Sequence, residues 1–370
     1  MSTEAMSNST LFGAHSRQNV ALIQLGHVLK ECGYRFITVT PATHARINNR
    51  PGNEWARNLE DVFGWSRPFE SSLLSNEIFT LMRTAEVIAP HLNHWRSLVR
   101  VSTLGNELFF HSAYPTAEAD AVFFGPDTYR FIAAIERQIA LTSMCIRRAV
   151  DIGCGAGPGA ITVASNFPEA QVLALDINDC ALRLAAINAA LAGVINVHPC
   201  HSNLLSQTEG MFDFIVANPP YLTDSAQRAY RDGGGILGSG LSLEIIDSAL
   251  QRLSPEGTLL LYTGVAILNG VDRFRLEVEQ KLCDAVVHWH YMEIDPDVFG
   301  EELLQEPYAD ADRIAIVILT VTRARGKDTI SALKHPNAAA KSSIRSEAAE
   351  TGPSHTAAGA SETVLYTGVN

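Results

Sequence analysis

Asn218-Pro219-Pro220-Tyr221 follows the apolar run Phe212-Asp213-Phe214-Ile215-Val216-Ala217, which reads as a buried strand. Each proline fixes its own φ and removes a backbone donor. The residue before each is pushed away from helical geometry. The turn therefore holds an amide side chain, carbonyl oxygens without competing N–H groups, and an aromatic ring at one rigid point. That combination suits a planar nitrogen group: Asn218 Oδ1 and the Pro219 carbonyl accept its N–H bonds, and the Tyr221 ring covers its face. An ordinary proline-rich loop is the alternative, and the upstream sequence weighs against it.

Upstream stands Ala149-Val150-Asp151-Ile152-Gly153-Cys154-Gly155-Ala156-Gly157-Pro158-Gly159. An apolar strand enters a glycine-rich turn, and the run after it can open a helix. Glycines let a ligand approach the backbone and supply unusual φ values, and the first helical turn offers free N–H groups. The next apolar run, from Gln171 to Leu175, ends in Asp176, about 20 residues after the glycines, where an acid can accept bonds from ribose hydroxyls. Gly155-x-Gly157-x-x-Ala160 also fits a dinucleotide fingerprint. Asp151 argues against that reading, because it would repel a pyrophosphate but welcome an ammonium, and the Asn-Pro-Pro-Tyr turn has no role in hydride transfer.

Together these segments resemble the class I S-adenosylmethionine (SAM)-dependent methyltransferases that modify amino groups. These include the glutamine methylases of release factors and the adenine-N6 and guanine-N2 methylases of nucleic acids. The resemblance covers about residues 120 to 322. It implies that Asp151, Gly153, Gly155 and Gly157 hold the methionine part of SAM. It places Asp176 on the ribose, Ile177 against the adenine and Asn203 at the adenine edge, where relatives often carry Asp. Phe124-Gly125-Pro126-Asp127-Thr128 resembles the segment that closes over SAM, with Thr128 in contact. Ala229-Tyr230-Arg231-Asp232-Gly233-Gly234 resembles a stretch of two-domain bacterial methyltransferases. Asn218, Pro219 and Tyr221 are then the catalytic set, with Asn218 also close to SAM. Three reactions stay open: methylation of a glutamine amide or another small or peptidic amine, methylation of an RNA or DNA base amine, and cyclisation of SAM itself to methylthioadenosine and a cyclic amino acid. A SAM-binding regulator is a fourth class, in which the intact Asn-Pro-Pro-Tyr turn would lack a purpose.

The elements that must position these residues follow from the pattern. Strands are expected at 148–152, 171–176, 195–199, 212–217, 258–263, 285–292 and 313–322. Helices are expected near 127–140, 158–166, 179–191, 241–253 and 271–282. Alternation of this kind builds a parallel sheet with helices on both faces. The fold expected is a Rossmann-like, seven-stranded α/β methyltransferase, its last two strands antiparallel by resemblance. Before it, apolar spacing predicts helices over 17–33 and 73–88, and a hairpin around Gly105-Asn106. That is a smaller helical or winged-helix-like N-terminal domain over 1–118, suited to dimerisation or to a substrate lid. The methyltransferase domain is expected over 119–325, and 326–370 reads as a disordered tail of Ala, Ser, Thr, Gly and Lys.

With 370 residues, 46% of them hydrophobic, the chain can bury the cores of two domains. No apolar run nears the ~20 residues of a membrane span, and the polar N-terminus lacks a targeting core, so a cytoplasmic protein is expected. The six cysteines form no C-x-x-C pair and the twelve histidines show no ligand spacing, so no metal is expected. A formal net charge of −12 disfavours nucleic acid and favours a protein side chain or a small molecule as acceptor. Asp224, Arg228, Arg231, Glu301 and Glu302 read as solvated loop residues, Asp213 as a strand-end cap, and Gly233–Gly240 as a mobile stretch able to close over substrate.

Overall fold

The computed structural model describes residues 16–116, 118–224, 230–304 and 306–325. These belong to one compact unit ending at Arg325. The expected tail, together with Arg228 and Ala229, lies outside the described residues.

The chain opens with α1 (Arg17–Glu31), capped by the Ser16 hydroxyl, and buries Leu22, Leu25 and Leu29 on one face. Two short helices follow, α2 (Pro41–Asn48) and α3 (Leu59–Phe63), each capped by an Asn or Thr side chain. The helix predicted over 73–88 is shorter: α4 (Asn76–Thr84) starts at its Ser75 cap and stops at Ala85. Glu86 takes a left-handed φ of 58°, which no helix continues. Ile88 instead opens the hairpin β1 (Ile88–His91) and β2 (His94–Ser97), which no Asn-Gly or Asp-Gly turn announces. The second hairpin, β3 (Val99–Leu104) and β4 (Glu107–Ser112), turns at Gly105-Asn106 as expected.

From α5 (Pro126–Leu141) the chain alternates: β5 (Arg148–Ile152), α6 (Pro158–Asn166), β6 (Gln171–Asp176), α7 (Asp179–Leu191), β7 (Val197–His201) and β8 (Phe212–Ala217). It then runs through α8 (Gly240–Arg252), β9 (Leu253–Leu268), β10 (Val271–Asp272), α9 (Arg273–Leu282), β11 (Val287–Asp295) and β12 (Arg313–Arg323). The sheet order is β11-β12-β9-β8-β5-β6-β7, with β10 paired to β9. Strands β7, β6, β5, β8 and β9 are parallel, while β12 lies antiparallel between β9 and β11. The expected architecture is therefore present. Only β9 differs greatly, at 16 residues against the six predicted. Its outer part pairs with β12 as far as Ile267, so partners rather than propensity set its length.

One apolar layer lies between the sheet and α5–α6, a second between the opposite face and α8–α9. A third packs the N-terminal helices on α7, where Leu22 and Leu25 share a cluster with Ile187 and Leu191.

Candidate functional site

Strands β5 and β8 are neighbours whose connections leave in opposite directions, to β6 and to β9. Such a switch point opens a crevice at the carboxyl edge of a parallel sheet. A cavity of about 260 Å³ lies there.

Its floor is the turn between β5 and α6. Gly153, Gly155 and Gly157 have φ of 70°, 53° and 85°, a region that other residues enter at a cost of about 1–2 kcal/mol. The Gly155 amide donates to Asp176 Oδ2 at 2.9 Å, and the Asn178 amide to Asp176 Oδ1 at 2.9 Å. Asp176 thus ties the tip of β6 to the glycine turn. Burial pushes its carboxyl above the usual range.

Asp151 lies beneath the turn, 1% exposed. Its Oδ2 accepts from the Ala160 amide at 2.9 Å, while its Oδ1 is buried without a partner. Burial, partly opposed by the Ala160 bond, raises its pKa to about 7, and the Asp176 charge adds to the rise. An orphaned acceptor on a cavity wall fits a ligand N–H donor, and best a cation. Gly159 makes this burial possible, since a Cβ there would stand 2.6 Å from Asp151 Oδ2. Cys154 is also buried, and burial raises its thiol well above the ordinary value, so it fills the turn as an inert group.

Ile177 and Asn203 form the side wall. Ile177 is 54% exposed, an apolar surface open to a flat ring.

The opposite wall is the proline-stiffened turn. Asn218 and Pro220 are half-buried, and Pro219 is buried. Tyr221 is 7% exposed. Its hydroxyl donates to Asp127 Oδ2 at 2.7 Å. Its ring lies where a Cβ on Gly264 would come within 2.3 Å, and meets Phe299 edge-on at 6.1 Å. Burial first, then the Asp127 charge, raises the phenol well above its usual pKa, so it stays a donor. Thr128 is buried at the start of α5, its hydroxyl accepting from the Gly125 amide at 3.2 Å.

Among the eleven residues singled out from the sequence, the cavity brings together Thr128, Asp151, Gly153, Gly155 and Asp176. It also gathers Ile177, Asn203, Asn218, Pro219 and Tyr221. Gly157, the eleventh, lies off the wall. A Cβ there would come 3.0 Å from the Ala185 Cβ, so its lack of a side chain serves the packing of α6 on α7. Two further expectations change. Gly233–Gly240 is a wedged turn, with Gly240 and Leu241 amides bonded to the Gly234 and Gly233 carbonyls. A Cβ on Gly238 would lie 2.2 Å from the Tyr221 carbonyl oxygen, so this turn buttresses the Asn-Pro-Pro-Tyr backbone. Asp224 and Glu302 are buried, and Arg231 pairs with both, at 3.7 Å to Asp224 and in close contact with Glu302. They form a wall network where a solvated loop was expected. Asp213 does cap, accepting from the Arg147 and Arg148 amides and the Ser254 hydroxyl.

Sequence reasoning did not single out Phe123, and it gave no role to Asp127, Tyr230 and Arg231, which also line the cavity. For Asp127 a signal existed, because it sits between Pro126 and Thr128 in the segment already singled out.

Residues 138–266 match the family model described as "Methyltransferase small domain". The release factor glutamine methyltransferase of Deinococcus radiodurans is 30% identical over 205 residues, which is 50% of this chain and 72% of that enzyme. The ribosomal protein uL3 glutamine methyltransferase of Neisseria gonorrhoeae is 32% identical over 130 residues, 32% of this chain and 44% of that enzyme. The release factor glutamine methyltransferase of Koribacter versatilis is 30% identical over 189 residues, 47% of this chain and 62% of that enzyme.

Proposed function

The chain belongs to the class I SAM-dependent methyltransferases of the release factor glutamine type, and from that premise we propose that it methylates the side-chain amide nitrogen of a glutamine presented by a protein or peptide. It is an N-directed enzyme that uses SAM. The supporting observation is the orphaned Asp151 Oδ1 on one wall of a cavity whose other wall is Asn218-Pro219-Pro220-Tyr221. A cationic amino acid suits the first wall and a planar amide the second.

SAM supplies a methyl group already activated by its sulfonium. The protein's task is to bind, orient and desolvate. Asp151 receives the ammonium of the amino-acid end. Gly153 and Gly155 let that end approach the backbone, and Thr128 closes over it. Asp176 accepts from the ribose hydroxyls, and Ile177 and Asn203 take the adenine. An amide nitrogen is a poor nucleophile because its lone pair is delocalised. Asn218 Oδ1 and the Pro219 carbonyl accept its N–H bonds, raise its electron density and stabilise the charge that develops on it. Tyr221 covers its plane. Pro41 and Thr116 also line the cavity, which supports giving the N-terminal elements a part in holding the acceptor.

The test is incubation of the protein with SAM, with and without glutamine-containing peptides, followed by mass spectrometry. The expected result is S-adenosylhomocysteine formed only with peptide, and one added methyl on glutamine. Methylthioadenosine formed from SAM alone would overturn the reading in favour of cyclisation, and turnover only with RNA or DNA would move the acceptor to a base. Asn218→Ala is expected to abolish turnover while SAM still binds. Full turnover in that variant would remove Asn218 from its orienting role.

A further inference from the structure

We infer that Asp127 is a positioning residue for the acceptor, acting through the Tyr221 hydroxyl. The inference rests on the assignment of Tyr221 to the acceptor side.

The carboxylate is 7% exposed and held from several directions. One oxygen accepts from Tyr221 at 2.7 Å. The other accepts from the Tyr262 hydroxyl on β9 at 2.8 Å and from Arg130 Nη1, one turn along α5, at 3.2 Å. Arg130 is itself anchored by Asp295 at the end of β11, 2.8 Å away. Asp127 therefore cannot follow a displaced tyrosine. The bare Cα of Gly264 leaves the ring its slot and Phe299 touches it edge-on. Both contacts act on the ring body, and neither holds the hydroxyl end that sets its tilt. A charge-assisted hydrogen bond at the far end of the ring does, because such bonds are short and directional. The acceptor's plane is set by that tilt, and misplacement of the kind it prevents is costly in rate.

The test compares Asp127→Asn, Tyr221→Phe and the double variant in the full chain. The readouts are SAM affinity by calorimetry and kcat and KM for a glutamine peptide. Each single change is expected to lower kcat/KM roughly ten- to a hundredfold, the range for a bond to a charged group, with SAM affinity held within about twofold. The double variant is expected to lose no more than Asp127→Asn alone, since Tyr221→Phe removes a bond that Asp127→Asn has already weakened. Unchanged kcat/KM in Asp127→Asn, or losses that multiply in the double variant, would overturn the inference. Should Asp127→Asn not fold, Tyr221→Phe carries the test alone, and unchanged kcat/KM there overturns it. If the native protein methylates no glutamine peptide, the proposed acceptor fails while the inference stays testable. Fluorotyrosine at position 221 is expected to give one sharp fluorine resonance in the native protein and a shifted or broadened one in Asp127→Asn. Identical spectra would refute the positioning role.

Discussion

Asp151 has one carboxylate oxygen bonded to the Ala160 amide and the other sealed without a partner. Its pKa of about 7 lies well above the ordinary aspartate value. Between roughly pH 4 and 7 the folded protein holds a proton that the unfolded chain releases, so this group's contribution to stability falls as pH rises through that window. Ligand binding runs the other way, because an ammonium pairs only with the ionised carboxylate. SAM affinity is expected to rise roughly tenfold from pH 5.5 to pH 7, a range in which an α-amino group keeps its proton. Calorimetry across that range checks the slope, and Asp151→Asn is expected to bind more weakly at pH 7 and to show a flat profile. A native profile as flat as the variant's would detach Asp151 from the ammonium. Asp151, Asp176 and Asn218 could be read from the sequence because each stands at the end of an apolar strand, Asp151 just before the glycines, Asp176 as the acid that closes its run, and Asn218 before the two prolines. The role of Asp127 could not be read, since its bond to Tyr221 spans 94 positions and no local pattern encodes it.

Two glycines show how elements divide the labour around the site. Gly157 has a φ of 85° and abuts Ala185, away from the cavity wall. Gly238 has a φ of 80° and abuts the Tyr221 carbonyl. Alanine at either position adds left-handed strain of about 1–2 kcal/mol and a steric clash, so both variants are expected to unfold at lower urea concentration. They should differ in function. Gly238→Ala pushes on the Asn-Pro-Pro-Tyr backbone and is expected to lose most acceptor methylation while keeping SAM affinity. Gly157→Ala is expected to keep kcat for the fraction that folds. Equal activity in the two variants would show that the glycine-rich turn does not buttress the motif. At this scale, strands β5, β6 and β8 were legible because each is an apolar run closed by glycine, acid or proline. The hairpin of β1 and β2 was not, because Leu92-Asn93 turns it without a glycine. The wedged conformation of Gly233–Gly240 was hidden for a different reason: glycine content signals freedom in the unfolded chain, and only the neighbouring backbone shows whether that freedom is used up.

Across the whole molecule, the sheet layers and the N-terminal helices meet on α7. The sequence predicted the apolar face of α1 and the span of α7 but not that they meet, because amphipathic spacing names a buried face and not its partner. What joins them includes one polar side chain. Asn188 is fully buried. Its Oδ1 accepts from the Phe110 amide at 2.8 Å, and its Nδ2 donates to the Phe110 carbonyl at 3.0 Å and the Ala156 carbonyl at 2.9 Å. One amide thus completes the edge of β4 and pins the glycine turn that floors the cavity. By contrast, the Lys30–Glu107 pair on the same seam is partly exposed and is expected to contribute at most about 1 kcal/mol. Asn188→Leu keeps the shape but strands three backbone groups in a dry interior, each unsatisfied group carrying a penalty of about 1–3 kcal/mol before relaxation. The expected loss is about 2–4 kcal/mol in urea unfolding, with faster hydrogen exchange at the Phe110 amide. Because Ala156 lines the cavity, SAM affinity should fall as well, although Asn188 itself lies behind the cavity wall. A variant that lost stability yet bound SAM with native affinity would show that the glycine turn holds its shape without α7, and that the N-terminal elements are joined to the site by apolar packing alone.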